Sequence, residues 1–137
     1  MQTVTRTEIE EYPLLARGKV RDIYQVDEGT LLIVTTDRMS AFDVIMPDPI
    51  PYKGVVLNKL TIHWMETFRD RVANHLLGTD PGQFPAKLRP YEDILRGRAV
   101  IARKTSPLPV ECIVRGFISG SGWKDYQASG SVCGIDL

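Results

Sequence analysis

Leu14-Leu15-Ala16-Arg17-Gly18-Lys19-Val20-Arg21-Asp22-Ile23-Tyr24-Gln25-Val26-Asp27-Glu28-Gly29-Thr30-Leu31-Leu32-Ile33-Val34-Thr35-Thr36 is the stretch that decides the fold. Leu14 to Ala16, Val20 to Val26 and Leu31 to Thr36 are apolar runs rich in β-branched and aromatic residues. Gly18 interrupts the first pair, and Asp27-Glu28-Gly29 supplies hairpin-turn chemistry between the second. The pattern predicts three antiparallel strands.

Outward from this stretch, Pro47, Pro49 and Pro51 mark Met46 to Tyr52 as an extended connection, because proline cannot donate to a strand ladder. Leu57, Leu60, Trp64, Phe68 and Val72 then recur at three- and four-residue steps, with Lys59, Glu66, Arg69 and Asp70 on other faces. This predicts one long amphipathic helix from about Val56 to Arg71, its stripe in the core and Gly78 as a stop. Thr79 to Pro90 reads as loop from its prolines. Arg98 to Thr105 and Val110 to Ile118 read as strands divided by Pro107-Leu108-Pro109, and Trp123 to Ala128 as a short helix after Ser119-Gly120-Ser121-Gly122. Strands, one packed helix and further strands imply an α+β fold with a mainly antiparallel sheet.

The whole chain of 137 residues, 43% hydrophobic and 25% charged, has the composition of a globular domain and enough length to bury a core without disulfides or a structural metal. Seventeen Lys and Arg balance seventeen Asp and Glu, so the chain lacks the basic excess of a nucleic-acid-coating protein. Cys112 and Cys133 show no zinc-ligand spacing and no disulfide framework. No signal-peptide run and no apolar stretch of about 18 residues occurs. The expectation is a soluble, cytoplasmic protein without nucleic-acid or membrane partners.

Three constellations carry candidate chemistry. Arg17-Gly18-Lys19-Val20-Arg21-Asp22 sets three cations around a glycine at a strand-to-strand turn, where backbone N–H groups and cationic side chains suit a polyphosphate; a merely solvated turn has the same residue types. It lacks the spacing of a Walker loop. Thr36-Asp37-Arg38-Met39-Ser40-Ala41-Phe42-Asp43 ends a strand with two carboxylates, a cation and a hydroxyl, equally suited to ligand binding and to turn capping. Leu108 to Ser121 places Glu111 and Arg115 on one face of the expected strand, ahead of a Gly/Ser loop and a short helix; it suits an anion, or else a surface ion pair followed by a flexible turn. His63 and His75 lack partners at ligand spacing and read as structural, and Trp64 and Phe68 as core.

Leu108 to Ser121, with Pro109, Glu111, Arg115 and Gly120-Ser121, resembles the first signature of the SAICAR synthetase family of purine biosynthesis. Arg17 to Tyr24 is similar to that family's nucleotide-phosphate hairpin, and Thr36 to Asp43 and Tyr52 to Lys59 are similar to further family segments in the same order. The resemblance implies an ATP-dependent carbon–nitrogen ligase that joins L-aspartate to carboxyaminoimidazole ribonucleotide, releasing ADP and phosphate. ATP would make a carboxylate oxygen a leaving group, most simply as an acyl phosphate, a chemistry that depends on positioning and charge neutralisation.

It implies further a sheet similar to the small lobe of protein kinases over residues 1–105, and the beginning of a central substrate and ATP domain over 106–137. By motif position, Gly18, Lys19, Arg21, Lys104 and Glu111 would bind ATP, and Arg115, Ser119, Gly120 and Ser121 the ribonucleotide. The family's second signature, Asp-x-Lys-x-Glu-Phe-Gly, is absent. Catalytic residues and Mg2+ ligands are therefore expected beyond Leu137, with no metal site in this chain. The chain is expected to be the N-terminal part of a synthetase, inactive alone and partnered by the remainder. The rivals are a non-catalytic phosphate-binding module and one subunit of a split synthetase.

Overall fold

The structure, a computed structural model, describes residues 3–110, 112–114 and 116–137. Its contacts divide the chain into two compact units, Met1–Ser106 and Pro107–Leu137.

In the first unit, strands β1 (Leu14–Arg17), β2 (Arg21–Gln25) and β3 (Thr30–Thr35) form the expected antiparallel meander. The β2–β3 turn closes as its residue types predict, with the Gly29 amide donating to Asp27 Oδ1 at 2.8 Å. A two-residue turn joins β4 (Ser40–Ala41) and β5 (Val44–Ile45). Helix α1 (Lys53–Thr67), β6 (Leu76–Gly78), 3-10 turns at Pro81–Gln83 and Ala86–Tyr91, α2 (Glu92–Leu95) and β7 (Ala99–Arg103) follow. The five-stranded sheet runs β1-β2-β3-β7-β6 with antiparallel neighbours throughout.

Register assigns the two sheet faces. Tyr24 pairs with Leu32 and Leu32 with Ile101, while Asp22 pairs with Val34 and Val34 with Ala99. Residues directly opposite share a face, and this one packs with Ile9, Phe84, Leu88 and Leu95 into the core. On the opposite face, α1 lies over the sheet. Asn58, Thr61, Ile62 and Met65 of the helix and Arg21, Ile33, Thr35 and Val100 of the strands border one small cavity of about 60 Å³.

Several sequence-based expectations need correction. Helix α1 starts three residues before Val56 and ends at Thr67 rather than Arg71. The Gly54 amide donates to buried Asp37 at 2.9 Å, drawing the first turn against the sheet. The Asn74 side chain donates to the Met65 carbonyl at 3.0 Å, satisfying an acceptor at the other end. Gly78 is a strand residue, not a helix stop.

The stripe Leu57, Leu60, Trp64, Phe68 and Val72 is exposed rather than core, with Trp64 and Phe68 stacked at 5.6 Å. The sheet-facing side of α1 buries instead Gly54 and Asn58. A Cβ at 54 would collide with the Thr35 carbonyl, so only glycine permits this approach, and Asn58 donates across to the Gly97 carbonyl at 3.1 Å. Residues 79–90 are not plain loop. Asp80 accepts from the Gly82 amide at 3.0 Å, Pro81 opens a 3-10 turn where its missing N–H costs nothing, and Phe84 and Leu88 enter the core.

In the second unit, α3 (Ser121–Ser129) forms as expected and ends on Gly130 at φ +72, the left-handed cap that favours glycine. The hairpin β8 (Ser131–Val132) and β9 (Ile135–Asp136) follows it. The expected strand Val110 to Ile118 is not present among the described residues: Val110, Ile113, Val114 and Phe117 are exposed and no neighbouring strand offers a ladder. None of the described residues from 107 to 137 is buried.

Candidate functional site

The turn between β1 and β2 is shaped by a buried arginine that its own sequence does not contain. Arg38 donates through Nε to the Lys19 carbonyl at 3.1 Å, and through Nη2 to the carbonyls of Gly18 at 2.8 Å and Arg21 at 3.2 Å. Thr36 donates twice to the Val20 carbonyl, from its amide and its hydroxyl, each at 2.9 Å. All four carbonyls of residues 18–21 therefore point into the protein.

No peptide bond in the described chain is cis, and in a trans peptide the N–H points opposite to the carbonyl. The amides of Lys19 and Val20 consequently point away from Arg38, and neither donates to an acceptor among the described residues. Adjacent outward amides suit an anion. The side chains of Lys19 and Arg21 are exposed beside them.

Asp22 anchors Arg38 from below. Its carboxylate is fully buried, receives Arg38 Nη2 at 2.9 Å and Arg17 Nε at 3.2 Å, and accepts from both the amide and the hydroxyl of Thr7 at 2.9 Å. Burial alone would raise its pKa, but the hydrogen bonds from Thr7 and Arg38 outweigh it and hold the carboxyl below its ordinary value. Arg17 is thereby engaged with Asp22 and the Thr7 carbonyl. Lys19 pairs with the exposed Asp43 across 2.5 Å. Asp43 stands in the β4–β5 turn with Phe42, both at positive φ, as a two-residue hairpin turn requires. The hydrogen bond from Lys19 lowers the Asp43 pKa.

A second buried pair lies nearby in sequence but serves the fold. Asp37 accepts from Arg98 Nη1 at 3.0 Å, the Val4 amide at 2.8 Å and the Gly54 amide at 2.9 Å. Desolvation pushes its pKa up, and these bonds bring it down further than that. The cluster Thr36 to Asp43 thus separates: Asp37 joins three chain segments, Arg38 organises the turn, and Asp43 reaches Lys19.

Of the other residues expected at a site, one belongs to the first unit. Lys104 lies at the other end of the strands, where its amide donates to the Gly29 carbonyl at 2.8 Å; the five residues of β2 put it about 16 Å from the turn. Glu111 and Arg115 lie outside the described residues. Ser119, Gly120 and Ser121 line an open concavity with Ile118, Gly122 and Asp125 in the second unit. Gly120 takes φ +63 and ψ −130, a conformation reserved for glycine, and Ser121 opens α3 with the free amides of a helix start.

Sequence reasoning missed Arg38 as the organiser of the turn and the burial of Asp22. A signal for Asp22 existed: it stands two residues before Tyr24 on β2, and so on the same inward face. Among the described residues, no three His, Cys, Asp or Glu side chains gather as a metal site.

The fold is of the α+β class with a mainly antiparallel sheet, and its glycine turn has a geometry suited to an anion. The family model described as SAICAR synthetase matches residues 14–134, and the chain belongs to that family. Over 134 residues it is 57% identical to the phosphoribosylaminoimidazole-succinocarboxamide synthase of Maridesulfovibrio salexigens and 58% identical to that of Pelobacter propionicus, covering 98% of this chain and 45% of each of those proteins. A solved SAICAR synthase superposes with a TM-score of 0.87 at 47% identity, covering 98% of this chain and 48% of the other. The SAICAR-synthase from Saccharomyces cerevisiae complexed with SAICAR superposes with a TM-score of 0.85, also at 47% identity and with the same coverage. The chain thus spans less than half the length of the relatives it matches. No described helix is long and apolar enough to cross a membrane.

Proposed function

We propose that this chain supplies the nucleotide-phosphate wall of an ATP-dependent ligase that joins L-aspartate to carboxyaminoimidazole ribonucleotide, forming SAICAR with release of ADP and phosphate. The observation that carries this is the β1–β2 turn, with the amides of Lys19 and Val20 facing away from Arg38 and the side chains of Lys19 and Arg21 exposed, in a chain of this family. Gly18 supports it independently. A Cβ there would meet only the Arg21 carbonyl, at 3.6 Å, so the fold tolerates a side chain and a closely approaching phosphate gives glycine its reason.

In this role Gly18 admits the polyphosphate, and Lys19 and Arg21 neutralise its oxygens. Lys104, a strand length away, stands toward the adenine, with Glu111 in the segment that follows. Arg115, Ser119, Gly120 and Ser121 hold the ribonucleotide, with the helix start and Ser121 hydroxyl offered to an anion. Residues 1–105 then correspond to a lobe like the small lobe of protein kinases, and 106–137 begin the substrate domain. Mg2+ bound with ATP would supply further neutralisation of the phosphate charge. The remainder of the synthetase is the partner this assignment requires.

Titration calorimetry of Lys19→Ala and Arg115→Ala in a full-length synthetase bearing these residues tests the assignment. Lys19→Ala should weaken ATP by about tenfold, the scale of one lost charge-assisted contact, while leaving the ribonucleotide unaffected. Arg115→Ala should do the reverse. Unchanged affinity for both ligands would refute the roles.

A further inference from the structure

Arg38 makes contacts that the packing of a core does not require. Its guanidinium reaches the carbonyls of Gly18, Lys19 and Arg21 in the turn, the Thr5 carbonyl in the N-terminal segment, and the Asp22 carboxylate. The neighbouring pair Arg98 and Asp37 shows what a purely architectural arginine does here: it bonds the Thr35 carbonyl and one carboxylate, and touches none of residues 18–21. A planar fork with five N–H donors can gather several carbonyls at fixed angles, which an ammonium cannot.

We infer that Arg38 is a positioning residue that sets the 18–21 backbone in its phosphate-receiving form before ligand arrives, acting through the peptide planes whose carbonyls it holds. The inference rests on the assignment of this turn to nucleotide phosphates. Turning three carbonyls inward turns the Lys19 and Val20 amides outward, so a polyphosphate meets donors already aimed and leaves little backbone ordering to be done on binding. The ligand chemistry recognised through Arg38 is the polyphosphate alone, since nothing in this arrangement touches a base or sugar. Asp22 completes the device. Its carboxylate fixes Arg38 in the plane of the turn, and Thr7 satisfies the oxygen that Arg38 leaves free.

The experiment uses the 15N-labelled 137-residue chain and inorganic tripolyphosphate, with MgATP in a parallel titration. In the wild type, the Lys19 and Val20 amides should shift most. Arg38→Lys should weaken tripolyphosphate by about tenfold and abolish those selective shifts. Arg98→Lys is the control for general loosening: it should lower the melting temperature while leaving tripolyphosphate affinity unchanged.

Wild-type affinity in a folded Arg38→Lys chain, with the wild-type turn responding, would overturn the role of Arg38 and leave the nucleotide assignment standing. Equal losses in the two variants would reduce Arg38 to a structural residue. A wild-type turn that ignores both ligands overturns the nucleotide assignment and this inference together. Where Arg38→Lys fails to fold, backbone relaxation of the free wild-type chain decides: order parameters for residues 18–21 near the rigid value of about 0.85 support presetting, and values below about 0.6 that rise on adding tripolyphosphate overturn it.

Discussion

The two units carry the proposed ligand-binding motifs on opposite kinds of support. In residues 3–106 the glycine turn rests on a five-stranded sheet and on two fully buried carboxylates, Asp22 and Asp37, each locked to an arginine. In residues 107–137 the Ser119 to Ser121 loop rests on one nine-residue helix and a two-residue hairpin, with no buried side chain among the described residues. The Ser119 to Ser121 loop, proposed to hold the ribonucleotide, lies in the unit with the least core of its own. Self-sufficiency follows buried area, which need not coincide with the placement of a binding motif along a chain.

Truncations of matched kind should expose this difference. Asp37→Ala is expected to have the largest effect, a loss of about 3–5 kcal/mol, because it strands a buried Arg98 and removes the acceptor for Val4 and Gly54. Chemical denaturation followed by far-UV circular dichroism measures it, and a loss under about 1 kcal/mol would mean that the network is replaceable by water. Leu95→Ala, in the core, should follow at about 2–5 kcal/mol. The corresponding apolar truncation in the second unit, Phe117→Ala, removes a side chain that is 88% exposed and should change stability by no more than about 0.5 kcal/mol. A Phe117→Ala loss as large as that of Leu95→Ala would break the contrast.

That contrast also explains what the sequence disclosed. The β1–β3 meander was legible because its turn residues and β-branched runs act locally. Helix α1 was legible as a helix, but not its orientation. The periodic Leu57, Leu60, Trp64 and Phe68 suggested a core face, whereas close approach to the sheet demanded the small Gly54 and the hydrogen-bonding Asn58. The prolines of 79–90 concealed core residues Phe84 and Leu88, since a proline that opens a 3-10 turn resembles one in a loop. Val110 to Ile118 had strand composition, yet no strand pairs with it among the described residues. At the candidate site, Gly18, Lys19 and Arg21 were visible as types at a turn. The role of Arg38 was not, because it spans about twenty residues of sequence and works through main-chain carbonyls, which carry no signature.

Acid should separate the two units next. The folded pKa values of Asp22 and Asp37 lie below the ordinary 3.8, because their hydrogen bonds and arginines outweigh the effect of burial. A depressed folded pKa contributes stability that is fully present above the unfolded value and is lost as pH falls through the folded one. The first unit should therefore hold its stability at neutral pH and lose it below about pH 4. Amide spectra recorded down this range should show the sheet resonances collapsing together with those of residues 18–21. In Asp37→Asn the slope of stability against pH below 4 should become shallower; an unchanged slope would assign acid sensitivity to other carboxylates.

Gly18→Ala should not destabilise the fold, and it separates support from ligand contact most directly. The added methyl would meet only the Arg21 carbonyl at an ordinary 3.6 Å, and Gly18 does not adopt a positive φ. Replacing such a glycine removes freedom from the unfolded chain and should leave stability unchanged or raise it by about 0.4–1 kcal/mol. Affinity for MgATP should nevertheless fall, because the methyl occupies the space through which a phosphate reaches the Lys19 and Val20 amides. A variant that melts at or above the wild-type temperature yet binds nucleotide about tenfold more weakly would tie Gly18 to the ligand rather than to the fold. Wild-type affinity with raised stability would place the phosphate elsewhere and leave the turn as one more part of the scaffold.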